Sequence, residues 1–396
     1  MMNWLSARLA PSLKPHVKNT APEQVKSGSS SYMALHMGGK AAWTPRNYQT
    51  LAKEGYQRNA IVYRCIRMIA EAAASAPLCV MRGGECIAGD PAAKLLQNPH
   101  PHMSAPELFE AFYGYLQMSG NAYFEAALID EVPSALYALR PDRMRVVPGR
   151  DGWPAAWEYE AGGHKRRYVR DAASGRAAIH HMRLFHPTND SYGFSPLEAA
   201  AQAIDVHNEG GVWAKALLDN SARPSGALIY KNTDPSARLS DDQYSRLKAE
   251  LEGSHSGARS AGRPLLLEGG LDWKPMSLSP QDMDFTTARR EAAREIALAF
   301  GVPPMLLGIP GDNTYSNYKE ANQAFWRQTI IPLTRKTARS LEGWLRPWFG
   351  EDLGIRVDLD DIPALAESQA KLWAKLGQAS FLTDDEKRAL AGVSAL

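Results

Sequence analysis

The chain has 396 residues, 44% hydrophobic and 22% charged, which is the composition of a soluble folded protein long enough for roughly two or three cores. Its 45 basic and 43 acidic side chains leave a formal charge of +2, which argues against a surface that coats DNA electrostatically and restricts nucleic-acid contact to a local patch. No run reaches the roughly 18 to 20 apolar residues that cross a bilayer, and no signal-peptide core precedes a small-residue cleavage site, so synthesis in a reducing cytoplasm with no membrane partner is expected.

Residues 1–46 carry Arg8, Lys14, Lys18, Lys26, Lys40 and Arg46 against Glu23 alone, with Pro, Ser and Gly scattered between them. This reads as a basic flexible arm, and the early Pro11 and Pro15 argue against a transit peptide. Folded structure is expected from Asn47. Ile61, Cys65, Met68, Ile69 and Ala72 mark one helical face, which Ser75-Ala76-Pro77 ends before the strand-like LCVM. Cys65, Cys79 and Cys86 are odd in number, lack a C-x-x-C pair and lie in or beside apolar runs, so they read as buried free thiols. Ser104-Ala105-Pro106-Glu107 has capping-box spacing and opens a helix through Leu108, Phe112, Tyr115 and Leu116. After Gly120-Asn121, the segments AYFEAALI, ALYAL, MRVV and WEYEA read as strands, giving an α+β region to about residue 190.

Ser195-Pro196-Leu197-Glu198 opens a second unit, a helix to Asn220. Gly210-Gly211 within it costs roughly 1 kcal/mol per glycine relative to alanine, which close packing against a neighbouring helix or a kink would explain. GALIY, LSDDQYSRLKAELEG, PLLLE and LDWKPM then read as a small βαββ insertion, and Ser279-Pro280 opens a second long helix. Two long helices carrying a module at their far end form a stalk. In the second, Phe285, Ala288, Ala292, Ile296 and Ala299 make the apolar stripe, with Arg289, Glu291, Arg294 and Glu295 between them. From Gly301 to Tyr318 the only charged residue is Asp312, unusual for a surface connection of that length. Tyr318 to Trp344 is helical with a kink expected at Pro332. IRVDLDDIP reads as a returning strand, and the tail from Ala364 as helical, its last piece opened by Thr383-Asp384-Asp385-Glu386.

Enzyme signatures are weak. There is no G-x-x-x-x-G-K-[ST] loop. Gly193-Phe194-Ser195-Pro196-Leu197 lacks the second glycine of a nucleophile elbow, and its proline removes an N–H that an oxyanion hole would use, so Ser195 reads as a helix cap. His180, His181, His186 and Asp190 suggest a metal site only superficially, since adjacent strand residues point apart. Asp358, Asp360 and Asp361 lack the glycine and glutamate of a calcium loop. The alternative these polar clusters leave open is an intracellular metal-dependent nucleic-acid enzyme.

The series RNAIVYRCIRMIAEAAASAPLCV, LLQNPHPHMSAPELFEAFYGYLQMSGNAYFE, LYALRPDRMRVV, SYGFSPLEAA, RPSGALIY, FTTARREAAREIALAFGVPPMLL and YSNYKEANQAFWRQTIIP, in this order, resembles the portal proteins of tailed bacteriophages and phage-like gene transfer agents, of the short siphophage type. The resemblance covers roughly residues 45 to 390. It implies an α+β portal-type fold: a wing at 47–194 completed by a kinked helix and wing return at 318–362, stem helices at 195–220 and 279–300, a βαββ clip at 221–278, a tunnel loop at 301–317 and a short helical crown at 363–396. It further implies a non-enzymatic ring, dodecameric in the family, at one capsid vertex of a phage or phage-like particle assembled in the bacterial cytoplasm. Double-stranded DNA passes through such a ring during packaging and ejection, and the large terminase, a head-tail adaptor and the major capsid protein are its partners. No cofactor or metal is implied. On this reading Asp312, Asn313, Thr314, Tyr315, Ser316 and Asn317 face DNA, Arg289, Arg290, Glu291, Arg294 and Glu295 meet neighbouring stems, and Tyr244, Arg246 and Lys248 on the clip meet docking partners.

Overall fold

The computed structural model describes residues 43–150, 152–219, 226–230, 240, 242, 245–246, 271–275, 285–310, 315–359, 362 and 364–391. The basic arm lies outside them up to residue 42. Its last residues are anchored: the Thr44 backbone N–H and hydroxyl donate to the Asp205 carboxylate at 2.9 and 2.5 Å. The folded contacts among the described residues therefore include Thr44, slightly before Asn47.

After the short helix α1 (Tyr48–Leu51), α2 (Ala60–Ser75) is capped by the Asn59 side-chain oxygen, which accepts from the N–H groups of Ile61 and Val62. Helix α3 (Pro91–Gln97) follows, and α4 (Ala105–Ser119) forms both halves of the expected capping box, Ser104 N–H to Glu107 at 2.8 Å and Glu107 N–H to Ser104 Oγ at 3.4 Å. Helices α2 and α4 pack together through Cys65, Ile66, Ile69, Phe109, Phe112 and Leu116, all in one core.

Strands β1 (Leu78–Arg82) and β2 (Glu85–Cys86) form a hairpin through Gly83 and Gly84, both at positive φ. The turn corrects the reading of the cysteines. Cys65 is buried and free, but Cys79 and Cys86 are disulfide-bonded across the hairpin with Cα atoms 5.9 Å apart. Apolar context along the chain carries no information about which residues a two-glycine turn folds together.

Beyond α4 come β3 (Asn121–Ile129) and β4 (Val132–Leu139), then β5 (Met144–Pro148), β6 (Pro154–Ala161), β7 (His164–Val169) and β8 (Ile179–Arg183). They make two antiparallel sheets, in the orders β4-β3-β8 and β5-β6-β7. Phe124 of β3 stacks on Phe112 with ring centroids 4.2 Å apart, fixing the first sheet to α4. Tyr123, on the opposite side of the strand, joins a second core with Met144, Val146, Trp157 and Tyr168. The final strand, β11 (Gly354–Val357), pairs antiparallel with β1, so residues late in the chain complete a sheet begun near its start. That closure is held by the buried Glu342 carboxylate, which accepts from Ile355 N–H at 2.9 Å and pairs with Arg346 and Arg339.

His180 and His181 occupy opposite faces of β8. His180 is buried against Phe112 and Trp344, with Nε2 2.7 Å from Ser340 Oγ. His181 stacks on Tyr123 and its Nε2 lies 3.1 Å from Asn121 Oδ1. Burial lowers both to about 3, helped at His181 by Arg183. The unfolded chain takes up these protons near 6.5 and the folded chain only near 3, so the stabilisation is complete above pH 6.5 and is lost as pH falls between those values. We expect stability to drop by up to about 1.4 kcal/mol per pH unit for each ring across that window. Urea unfolding between pH 7 and 4 should show His180→Phe losing one ring's share of the slope; an unchanged slope would refute the assignment.

Candidate functional site

The helix that follows the β3–β8 region starts at Ser195, whose hydroxyl donates to the carbonyls of Gln117 and Met118 at 2.9 Å each and accepts from Leu197 N–H at 3.0 Å. Ser195 is 3% exposed and acts as a cap tying this helix to the end of α4. The predicted single helix is two, α5 (Pro196–Ala199) and α6 (Ala201–Asp219), because Ala200 leaves helical geometry at ψ 0°. Beyond α6, β9 (Gly226–Tyr230) and β10 (Leu271–Pro275) pair antiparallel, Tyr230 opposite Leu271 and Gly226 opposite Pro275. The rest of the insertion lies outside the described residues apart from scattered positions such as the exposed Arg246; Tyr244 and Lys248 lie outside.

Helix α7 (Phe285–Phe300) packs on α6. A Cβ at Gly210 would lie 2.8 Å from Arg289 Cγ, so the Gly210-Gly211 pair marks a close approach of helices, and α6 continues through it. The Arg289 guanidinium lies partly buried in this contact, with a fully buried Nε–H. Beside it His207 is pushed below its ordinary value by burial and by that cation. Arg290, Glu291 and Glu295 are exposed. Arg294 is half-buried, pairing with Glu291 at 2.8 Å and donating from its other nitrogen to the Pro310 carbonyl at 2.9 Å.

The uncharged loop has two parts. Gly301 turns the chain at φ 67°, Pro304–Leu307 form one 3-10 turn, and Gly308 turns it again at φ 72°. Val302, Leu306 and Ile309 are buried, which accounts for the apolar character of this first half. Of the polar half, Asp312, Asn313 and Thr314 lie outside the described residues. Helix α8 (Tyr315–Phe325) starts three residues earlier than expected, so Tyr315, Ser316 and Asn317 have helical backbone. It runs into a π-helical stretch, Trp326–Ile330, and then α9 (Ile331–Phe349) with Pro332 in its first turn. The irregularity next to Pro332 is thus a π turn directly before it.

That π turn touches the loop. Thr329 Oγ1 donates to the Gly301 carbonyl at 2.6 Å, and Arg294 holds the loop's far end at Pro310, so α7 and the π turn clasp the loop from two sides. Thr329→Val is expected to lower stability by about 1 kcal/mol and to speed proteolytic cleavage after residue 301, measured by mass spectrometry of timed digests; equal rates would deny the clasp.

The model of the family described as phage portal protein matches residues 60–392. The chain belongs to that family. A solved chain from the neck of an empty gene transfer agent particle, computed with C6 symmetry, is 48% identical, with a TM-score of 0.70 over 90% of this chain and 96% of that one. A chain from the neck of a native particle, computed with C12 symmetry, is 49% identical, with a TM-score of 0.68 over 89% and 95%. The portal protein of Enterobacteria phage HK97 is 26% identical over 83% of this chain and 77% of its own length. The mixed helix and strand architecture is that of portal proteins. Within this portal chain, Thr329 and the Arg294 contact to Pro310 went unread in the sequence. Pro332, three residues after Thr329, is the one signal that the helix is irregular there.

Proposed function

We propose that this portal protein assembles as a ring, of twelve subunits, at one vertex of a phage or gene transfer agent head, and that double-stranded DNA is packaged and later ejected through its axis. The observation that carries the ring is the stem. Val206, Val212 and Leu298 on α6 and α7 are 43%, 46% and 79% exposed, beside the charged Arg290, Glu291 and Glu295. Apolar side chains flanked by both signs of charge suit a head-to-tail contact between copies, in which different faces of α6 and α7 meet. The C12-symmetric neck that contains a 49% identical chain supports the subunit number.

On this reading residues 312–317 form the part of the loop that meets DNA, and its near-neutral composition lets a duplex slide without a deep electrostatic minimum. The insertion between β9 and β10, with Tyr244, Arg246 and Lys248, takes the clip role and meets the large terminase and then a head-tail adaptor, while the wing meets the major capsid protein. The role is structural and non-enzymatic. Negative-stain electron microscopy with mass photometry on the purified protein should show rings near twelve subunits with an axial hole. Leu298→Glu, which places charge at the proposed contact, should shift the mass distribution to monomer; rings unaffected by it would remove the stem from the interface.

A further inference from the structure

Apart from the stem and loop, the described surface carries a concave site lined by aromatic and cationic side chains. A cleft of about 560 Å³ opens between the 184–192 loop and α9. Trp153 and Phe185 stand at its mouth, 61% and 82% exposed, with Tyr192 and His186 on its walls and the cations Arg183 and Lys336 within it. The Lys336 ammonium donates to the Arg183 carbonyl at 2.9 Å, and the Arg183 guanidinium donates to the Asp190 carbonyl and lies 5.8 Å from the Trp153 ring centroid. Neither cation forms an ion pair with a carboxylate among the described residues. Both cations are thus positioned by backbone oxygens in the lining of one cleft, and burial together with the charge of Arg183 lowers Lys336 below its ordinary value. An incoming anion would relieve that repulsion.

The loop is built before any partner arrives. Asn189 Oδ1 accepts from the N–H groups of Ser191 and Tyr192, and His186 Nδ1 accepts from Thr188 N–H at 3.1 Å. Binding would therefore cost little ordering entropy. Exposed aromatics beside an arginine are the composition of interface anchors. We propose that this cleft docks a short acidic segment of a partner protein, with one carboxylate between Arg183 and Lys336 and an adjacent apolar side chain against Phe185 and Trp153. The charge pattern favours a peptide over nucleic acid, because two cations confined to one cleft, with Asp190 also in its lining, form no track along a phosphate backbone.

The test uses the purified full-length protein and a fluorescein-labelled hexapeptide of alternating aspartate and phenylalanine, read by anisotropy, with an oligo(dT) strand as comparison. The peptide should bind more weakly as salt rises, and Phe185→Ala and Lys336→Met should each weaken it about tenfold or more. Phe185 is on the surface, so its variant keeps the fold and isolates the contact. Absence of peptide binding, tighter binding of oligo(dT), or affinity unchanged in both variants would overturn the proposal. So would a drop in subunit number by mass photometry for Phe185→Ala, which would assign the cleft to a second copy of this chain.

Discussion

Gly193→Ala is expected to destabilise the fold by about 4 kcal/mol or more, the range reserved for changes that force backbone apart. A Cβ at this position would sit 2.0 Å from the Gly120 carbonyl oxygen and 2.7 Å from Leu184 N. Both are main-chain atoms, joined to each other by the Leu184 N–H to Gly120 carbonyl bond at 2.8 Å, so no rotamer change opens the space. Gly193 N–H also donates to Asn121 Oδ1 at 2.8 Å, and moving it would break the link between the end of α4 and the start of α5. Gly120 faces it at φ 73°, with its own Cβ position 2.6 Å from Gly193 main-chain atoms, so Gly120→Ala adds left-handed strain to the same clash. Gly343 within α9 is the control: nothing lies within 4 Å of its Cβ position, and Gly343→Ala should stabilise by about 0.5–1 kcal/mol through helix propensity. Urea unfolding of the three variants measures all of this. Gly193→Ala within 1 kcal/mol of the parent would contradict the packing.

The second large effect is expected in DNA packaging. Combining Asn313→Lys with Ser316→Lys should reduce nuclease-protected DNA per assembled particle at least tenfold while leaving ring formation intact. If residues 312–317 meet DNA, the double variant places two cations per subunit around the channel, and a closed ring multiplies them. Phosphates that release counterions onto such a collar gain affinity, the reverse of what a translocating duplex requires. Asn313→Gln, which keeps the segment neutral, should package normally. Parent-level packaging by the double-lysine variant would sink the assignment of these residues to the channel.

The local rules of the chain were legible where the signal is local. The capping boxes at Ser104 and Thr383 formed because serine or threonine three residues before glutamate satisfies two helix N–H groups whatever packs around it. The strands from Asn121 to Ala161 formed for a similar reason, apolar alternation bounded by turn residues. Gly210-Gly211 announced a close approach without naming its partner. Only the packed structure shows Arg289 lying over it. The ordered series of segments identified the family, and the match over residues 60–392 agrees with it.

Contacts between distant residues were a different matter. The Cys79–Cys86 bond depends on how a two-glycine hairpin folds back, with Cys86 opposite Met81 and within bonding reach of Cys79 two residues along, and neighbouring side chains along the chain do not encode that. The strand character of β11 was legible, but its pairing with β1 was not, since a strand's own pattern does not name its partner, and the clasp of Thr329 on Gly301 rests on one hydroxyl, which leaves no periodicity to read. The cleft at Arg183 and Lys336 is of the same kind, since two unremarkable surface cations acquire a common environment only when β8 and α9 meet. Sequence alone determined most of the long helices and of the strands, the capping boxes and the family, because those follow from short-range backbone chemistry and ordered motifs, while the short α3, β2 and β7 and the break at Ala200 carry too little local pattern to be read. Tertiary structure decided which charges face each other, which glycines cannot change and where the loop is held, because those depend on distances that exist only after the chain has closed on itself.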